Sequence, residues 1–485
     1  MTFLWMVAAL LAAVGLLLAV CLVRTLRFRP ARTERAPSSG ETIDGAAAAA
    51  RLSGAIRCKT VSHPGGIGTD WAEFTKLHRF LEQSYPLFHK TAQREVVDGY
   101  SLLYCWKGCA PQGEKPLPLL LMAHQDVVPA EEKGWSVPPF SGEIREGCIW
   151  GRGAFDMKCQ MIALLEAAEQ LLREGVTPRR DVYFCFTHNE EVTPETGAQT
   201  VSALLKQRNI RFSMVLDEGG YAFHGADMGM DRDGVRIGLC EKGYADLRIF
   251  AKGEAGHSSM PPRRTALGTV CAAVEALQSH PPRPKFNEAA AAMYDAMAPY
   301  MPFGRRFLFA NRWLFGPVLL KKLVRDKQAN AALRTTFAPT MAKGSAAANV
   351  LPQQAEAVVN VRIAPGESTE KALAFAQKAI RKTGASAEFI QGGDPTPISP
   401  ATGESYRLLC AAARETFPEM ALVPYAMMAA TDSRYFTGLS DCVYRFSPFP
   451  CAMELLGGMH AANERVTLSS LEAGTAFFLR LLRRT

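Results

Sequence analysis

Three short apolar runs in the first half of the chain each end in side chains able to hold a metal ion. PLPLLLMAH (116–124) leads into His124 and Asp126, DVYFCFTHNEE (181–191) ends in Glu190 and Glu191, and FSMVLDEGG (212–220) carries Asp217 and Glu218. Runs of this length and apolar density read as strands buried on both faces. Between the first two, MIALLEAAEQLLREG (161–175) has apolar residues at helical spacing and a glycine stop. Strand, helix, strand in that order predicts an α/β fold, a parallel or mixed sheet with helices on both faces. Such sheets present ligand groups beyond the carboxyl ends of their strands, so the three endings are expected to share one crevice.

The chemistry follows from what would gather there. A further acid, Asp156, lies in the glycine-rich turn WGRGAFDMK, and GGMHAANE near the C terminus supplies His460. Brought together without counter-charge, Asp126, Asp156, Glu190, Glu191 and Asp217 would repel and raise one another's pKa values. Two divalent cations remove that cost. Imidazole with carboxylate oxygen suits zinc first, with manganese or cobalt as alternatives. At a strand end residues i and i+2 share a face, so Asp126 is expected to accept the second N–H of His124 and fix its tautomer. Of the adjacent pair Glu190 and Glu191, one is expected to face a metal, leaving the other as general base on water.

Residues 3–23 carry no charge over 21 positions. At 1.5 Å per residue a helix of that length covers the roughly 30 Å of a bilayer core. No basic residue precedes the run, and Arg24, Arg27, Arg29, Arg32 and Arg35 follow it. That order predicts a single-pass transmembrane anchor, not a cleaved signal, with the body on the cytoplasmic side. Those five arginines, set against Glu34 alone, account for half of the net charge of +8. The remaining 450 residues share only +4, too little for the basic footprint of a folded nucleic-acid-binding body, so nucleic acid is not expected as a partner. The twelve cysteines are dispersed, several inside apolar runs, as free thiols in a core are.

The expected organisation is an anchor over 1–25, a linker over 26–50, and a catalytic domain in two parts, 51–240 and 394–485. Between those parts, 241–393 alternates strands and helices as a small open-faced α+β domain would. An insertion near 285–335, rich in Met, Phe and Trp, reads either as packed helices, as an apolar wall for an acyl chain, or as a membrane-facing surface.

The segments LLLMAHQDVVPA, WSVPPFSGEIREGCIWGRGAFDMK, THNEEV, VLDEGG, GHSSMPP, NVLPQQAEAVVNVRIAPG, TDSRYF and HAANERV resemble the M20 metallopeptidases. Within them the likeness is to the carboxypeptidase S and N-fatty-acyl-amino-acid synthase/hydrolase branch, and it runs from about residue 50 onward. The resemblance implies two co-catalytic zinc ions and a lid domain that also dimerises. It implies that His124 and Asp217 bind one zinc, Glu191 and His460 the other, and that Asp156 bridges them. Asp126 would support His124, and Glu190 would be the general base. His257 in GHSSMPP would reach the active site of a partner subunit and polarise the scissile carbonyl there, as an oxyanion-hole donor does. Asn349 and Arg362 would hold the substrate carboxylate, a task the guanidinium fork suits, with Arg434 in TDSRYF as a further contact. Three departures stand out: Cys159 in place of a glycine, Asn189 in place of an acid, and TPETGA in place of a glycine-rich turn. None removes a ligand or the base. The implied reaction is hydrolysis or formation of the amide bond of an N-acyl amino acid or small peptide with a free carboxylate. A dipeptidase or aminoacylase of the same family is the alternative enzyme, and a non-catalytic, membrane-anchored peptide-binding protein the alternative of another kind.

Overall fold

Leu119–His124, Val182–Thr187 and Met214–Asp217 form as strands, and they pair in parallel. Leu119 lies opposite Val182 on one side and Met214 on the other, so His124 meets Thr187 at the carboxyl edge. Every residue of Leu119–His124 is buried, which is why the run reads as continuous leucine and not as an alternation. Leu120 and Met122 pack with Val201 and Leu205 of the helix Ala198–Gln207. The alternate residues of the strand point to the opposite face, where the helix Lys158–Arg173 packs. Val443–Arg445 extends the parallel set beyond Met214–Asp217. Antiparallel strands border it, among them Gln93–Val97 and Ser101–Trp106 on one side and Gly234–Glu241 on the other. Among the described residues the sheet has nine strands and is mixed.

This computed structural model describes residues 1–30, 41–111, 113–192, 196–450 and 453–485. Part of the expected linker, residues 31–40, and residues 193–195 of the TPETGA turn lie outside the described residues. The chain divides into two units. The larger comprises Pro30–Leu239, Ser399–Tyr425 and Thr431–Thr485 and contains the parallel strands. Its first helix, Gly45–Ile56, starts inside the stretch read as linker, with Asp44 accepting the N–H of Ala47 as its cap. Leu468–Arg483 packs on Lys158–Arg173, and Leu471, Phe478 and Leu482 are among its buried residues.

The smaller unit comprises Met1–Arg29, Cys240–Ile398 and Ala426–Ala430. Four antiparallel strands run in the order Thr336–Lys343, Gln354–Ile363, Gly243–Lys252, Ser386–Gly393. Burial alternates along the two central strands. One face (Ala245, Leu247, Ile249, Val359, Val361, Ile363) packs on the helices Ala266–Ser279 and Thr369–Ile380. The other face carries a polar ladder in which Arg248 pairs with Glu356 and Glu388, and Asp246 accepts from Asn360 and Gln391. The insertion forms four helices, Glu288–Met297, Phe303–Ala310, Arg312–Leu323 and Lys327–Leu333. The helix Thr2–Arg27 is long and apolar enough to cross a membrane or to act as a signal sequence.

Candidate metal centre

The parallel strands deliver their terminal residues to one place. His124 ends its strand with its Nε2 3.2 Å from Asp156 Oδ1 and 3.7 Å from Glu218 Oε1. The other oxygen of Asp156, Oδ2, lies 3.0 Å from His460 Nε2, which is 3.1 Å from Glu191 Oε2. The result is two triads, His124–Asp156–Glu218 and Asp156–Glu191–His460, whose ligand atoms lie within 4.8 Å of one another. Asp156 belongs to both. His460 reaches the cluster from a left-handed backbone conformation, φ 57°.

Side chains absent from the expected set hold this arrangement. Asp156 sits in the turn before the helix Lys158–Arg173, and that turn is fixed from below by Glu464. One oxygen of Glu464 accepts the N–H groups of Phe155 and Asp156 at 2.9 and 3.0 Å. The other pairs with Arg152, whose guanidinium also donates to the carbonyl of Ala461. Glu464 is fully buried and Arg152 nearly so. Gln125, between His124 and Asp126, is likewise buried and held by His78, Tyr100 and Phe186.

Asp126 acts more broadly than its spacing indicated. The ring Nδ1 of His124 bonds to the backbone carbonyl of Asp126 at 2.8 Å, while the carboxylate is 3.5 Å away. The carboxylate thus stays within ion-pair reach of the imidazole, with the backbone carbonyl the nearer partner. The carboxylate also accepts the N–H of Glu190 and the N–H of Glu191, both at 3.1 Å, and the Ser62 hydroxyl at 2.6 Å. It thus clamps the turn that carries both glutamates.

The pair Asp217 and Glu218 sits at one strand end. The expectation put Asp217 with His124; in the structure the carboxylate of Glu218 lies 3.7 Å from His124 Nε2 and groups with His124 and Asp156. Asp217, the last residue of its strand, accepts the N–H of Ser433 at 2.9 Å and lies opposite the buried Arg445 in parallel register. Spacing alone does not distinguish the two acids, whose side chains point to different sides of one strand end; only the family resemblance singled out Asp217.

The electrostatics follow from burial and crowding. Burial, then the charge of Glu218, pushes the Glu190 carboxyl well up from its ordinary value. Burial, then Asp156, does the same to Glu218. Burial works against ionisation of Asp156 as well, but hydrogen bonds with His124 and His460 overcome it and hold that carboxyl well below the usual range. Asp156 and Glu191 raise His460 to about 10. Burial pushes Asp432 up to about 7. Carboxylates held at such proximity with imidazoles form a donor set for a divalent ion.

The remaining expected site residues are distributed as follows. Arg434 lies in the turn Asp432–Phe436 of the larger unit. His257, Asn349 and Arg362 belong to the smaller unit. There the two-residue strand Gly256–His257 pairs with Val350–Leu351, and Ser258 N–H bonds to the carbonyl of Asn349 at 3.0 Å. Two residues from separate motifs are thereby neighbours, and the His257 ring is exposed, bonded to the Ser259 hydroxyl at 2.8 Å. Arg362 lies over the ring of Tyr244 at 4.9 Å.

The fold and the sequence both have relatives. The human N-fatty-acyl-amino acid synthase/hydrolase PM20D1 is 35% identical over 460 residues, covering 93% of this chain and 90% of its own. The carboxypeptidase S of Saccharomyces cerevisiae is 28% identical, covering 88% of this chain and 82% of its own. Among solved structures, the M20 family metallo-carboxypeptidase Sso-CP2 of Sulfolobus solfataricus superposes with a TM-score of 0.63 at 16% identity. That superposition covers 90% of this chain and 98% of its own. Human carnosine dipeptidase 1 gives 0.61 at 14% identity, covering 91% and 96%. The pattern of peptidase family M20/M25/M40 matches residues 120–484, a span that opens just before His124 and runs past His460. A match of that extent, carried by a fold shared with solved members, makes this chain a member of peptidase family M20, and thus an enzyme of the peptidase and amidohydrolase kind.

Proposed function

We propose that the chain is a two-zinc amidohydrolase that cleaves or forms the amide bond of N-acyl amino acids, or of small peptides with a free carboxylate. Membership of the family implies use of a divalent metal. The finer reading rests above all on Asp156, whose two oxygens face different imidazoles, His124 at 3.2 Å and His460 at 3.0 Å. One further carboxylate completes each side, so each triad offers one nitrogen and carboxylate oxygens, a set that suits zinc in hydrolases and also accepts manganese or cobalt. His124, Asp156 and Glu218 would hold one ion, and Asp156, Glu191 and His460 the other. When bound, the ions supply Lewis acidity towards a carbonyl and towards water.

Glu190 is the general base. Its turn is fixed by Asp126, and its carboxyl is shifted upward by burial and by Glu218, the direction that suits a group taking and returning a proton near neutrality. His257 polarises the scissile carbonyl, Asn349 and Arg362 bind the substrate carboxylate, and Arg434 adds a contact. The strand pair that sets His257 beside Asn349 supports a shared role for those two. The 34–35% identity to proteins named N-fatty-acyl-amino acid synthase/hydrolase favours N-acyl amino acids over dipeptides. The smaller unit is read as the lid and dimerisation domain and the assembly as a homodimer. The helix Thr2–Arg27 is read as a single-pass anchor with the body cytoplasmic.

Glu190→Gln is expected to keep its metal, counted by elemental analysis, and to lose turnover. Substantial remaining activity refutes the assigned base. Mass spectrometry of a mixed pool of N-acyl amino acids and dipeptides identifies the substrate class. Consumption of dipeptides alone overturns the acyl reading.

A further inference from the structure

The helix Thr2–Arg27 is exposed along residues 1–20, whereas Cys21 and Thr25, one turn apart, are completely covered. The insertion covers them. Asn311, buried between the helices Phe303–Ala310 and Arg312–Leu323, donates from its side-chain nitrogen to the Cys21 carbonyl at 3.1 Å and to the Thr25 hydroxyl at 3.2 Å. Arg24 Nε donates to the carbonyl of Ala310 at 3.3 Å. The exposed helical stretch, residues 2–20, is about 28 Å long at 1.5 Å per residue, close to the roughly 30 Å of hydrocarbon in a bilayer. On the anchor reading, on which this inference rests, the insertion therefore meets the helix where the lipid headgroups begin.

Two features at that level point to a lipid. The first is the outward face of Arg312–Leu323. Trp313, Leu314 and Val318 are 56%, 38% and 66% exposed, while Gly316 and Leu319 are the buried positions. This helix is apolar nearly all round, so large apolar side chains stand on its outward side as well as its buried one, unlike a helix on a soluble body, and the exposed Lys321 and Lys322 follow. Residues 301–325 contain six basic side chains and no acidic one. Aromatic and basic residues so combined suit the bilayer interface. The second is a cavity of about 640 Å³ between the base of the anchor and the insertion. Arg24, Arg27 and Arg312 line it together with Phe286, Phe309 and Trp313. Asp295, also in the lining, pairs with Arg312. Neither Arg24 nor Arg27 pairs with an acid among the described residues, so the cavity keeps a net positive charge beside aromatic walls.

We propose that this cavity binds the phosphate headgroup of an anionic membrane phospholipid, with the outward face of Arg312–Leu323 lying in the interface beside it. Arg24 and Arg27 would meet the phosphate, and the aromatic wall would meet the glycerol and the upper acyl chain.

The test uses the full chain, purified in detergent and offered an equal mixture of phosphatidylcholine and phosphatidylglycerol, with retained lipid counted by native mass spectrometry. Phosphatidylglycerol is expected to be retained in preference. That preference is expected to fall roughly fivefold per arginine removed in Arg24→Gln/Arg27→Gln, and to survive excess inorganic phosphate. Arg27→Gln alone gives the same test without touching the Arg24–Ala310 bond. Turnover of a short, soluble N-acyl amino acid, expected to be unchanged, verifies that the variants fold. Equal retention of the two lipids, an unchanged preference in the variants, or displacement by phosphate overturns the proposal. Alkaline carbonate extraction of membranes separates this from the anchor reading. A chain that resists extraction yet shows no lipid preference refutes the headgroup site alone, whereas release by carbonate refutes the anchor and the site with it.

Discussion

Replacing Glu464 by Gln tests whether the support beneath the metal centre matters as much as the ligands. The substitution keeps shape and volume but turns one carboxylate oxygen into an NH2 group. In the native protein one oxygen takes two backbone N–H groups, those of Phe155 and Asp156, and the other takes Arg152. Whichever way the amide turns, an NH2 faces a donor. Either orientation leaves the buried guanidinium without a counter-charge, a defect that costs about 3–5 kcal/mol. With the NH2 facing the backbone, two N–H groups are also stranded at about 1–3 kcal/mol each. A loss of at least about 3 kcal/mol is therefore expected. The substitution also loosens the turn that aims Asp156 at both imidazoles, for which a drop in metal affinity of about 10–100-fold is expected. Arg152→Met removes the other partner and is expected to cost less. Glu464 is already raised by burial, so without Arg152 it can protonate and still accept both N–H groups through its carbonyl oxygen. Arginine has no such escape. Urea midpoints with equal m-values measure stability, and competition with a chelating dye measures metal affinity. The reasoning is refuted if Glu464→Gln loses under 1 kcal/mol with unchanged affinity, or if Arg152→Met is the more damaging of the two.

Glu218→Gln is expected to lose one of two metal equivalents by elemental analysis, whereas Asp217→Asn keeps both, because an amide oxygen still accepts the Ser433 N–H. The opposite ranking restores Asp217 as the ligand. Burial lowers His78 to about 4, below the ordinary 6.5, so between those values the unfolded chain binds more protons than the native one. Stability from this group is complete above about pH 6.5 and declines as the pH falls towards 4, by about 3 kcal/mol at 1.36 kcal/mol per unit. His78→Gln, which can still donate to Gln125, should flatten that part of the curve, and parallel curves for the two proteins rule the idea out. Stripping the metal with a chelator should lower Tm, and added zinc should restore it, since an ion at about 100 times its Kd contributes about 2.7 kcal/mol. An unchanged Tm in metal-depleted protein, depletion being verified by elemental analysis, argues against a structural contribution from the cluster.

Much of this protein is set by its sequence alone. The uninterrupted apolar run ending at His124 and the helical spacing after Asp156 are local patterns, and local patterns determine strands, helices and the edge at which their terminal side chains emerge. The structure gathers His124, Asp156, Glu191 and His460 in one cluster, a grouping that the family motifs, and not local periodicity alone, implied. What the sequence left open is the choice between neighbours. Asp217 and Glu218 are chemically alike and adjacent, and the N–H of Ser433, 216 positions away, is what engages the first while the second meets His124. Glu464 and Arg152 gave no signal because each has meaning only beside the other, across 312 positions of chain. Asp126 was recognised by its spacing, yet its clamp on the glutamate turn depends on a parallel partner strand. Hydrophobic periodicity fixes which face of an element is buried. The direction a single carboxylate takes is decided by which donors the finished fold brings within 3 Å of it, and those donors come from anywhere in the chain.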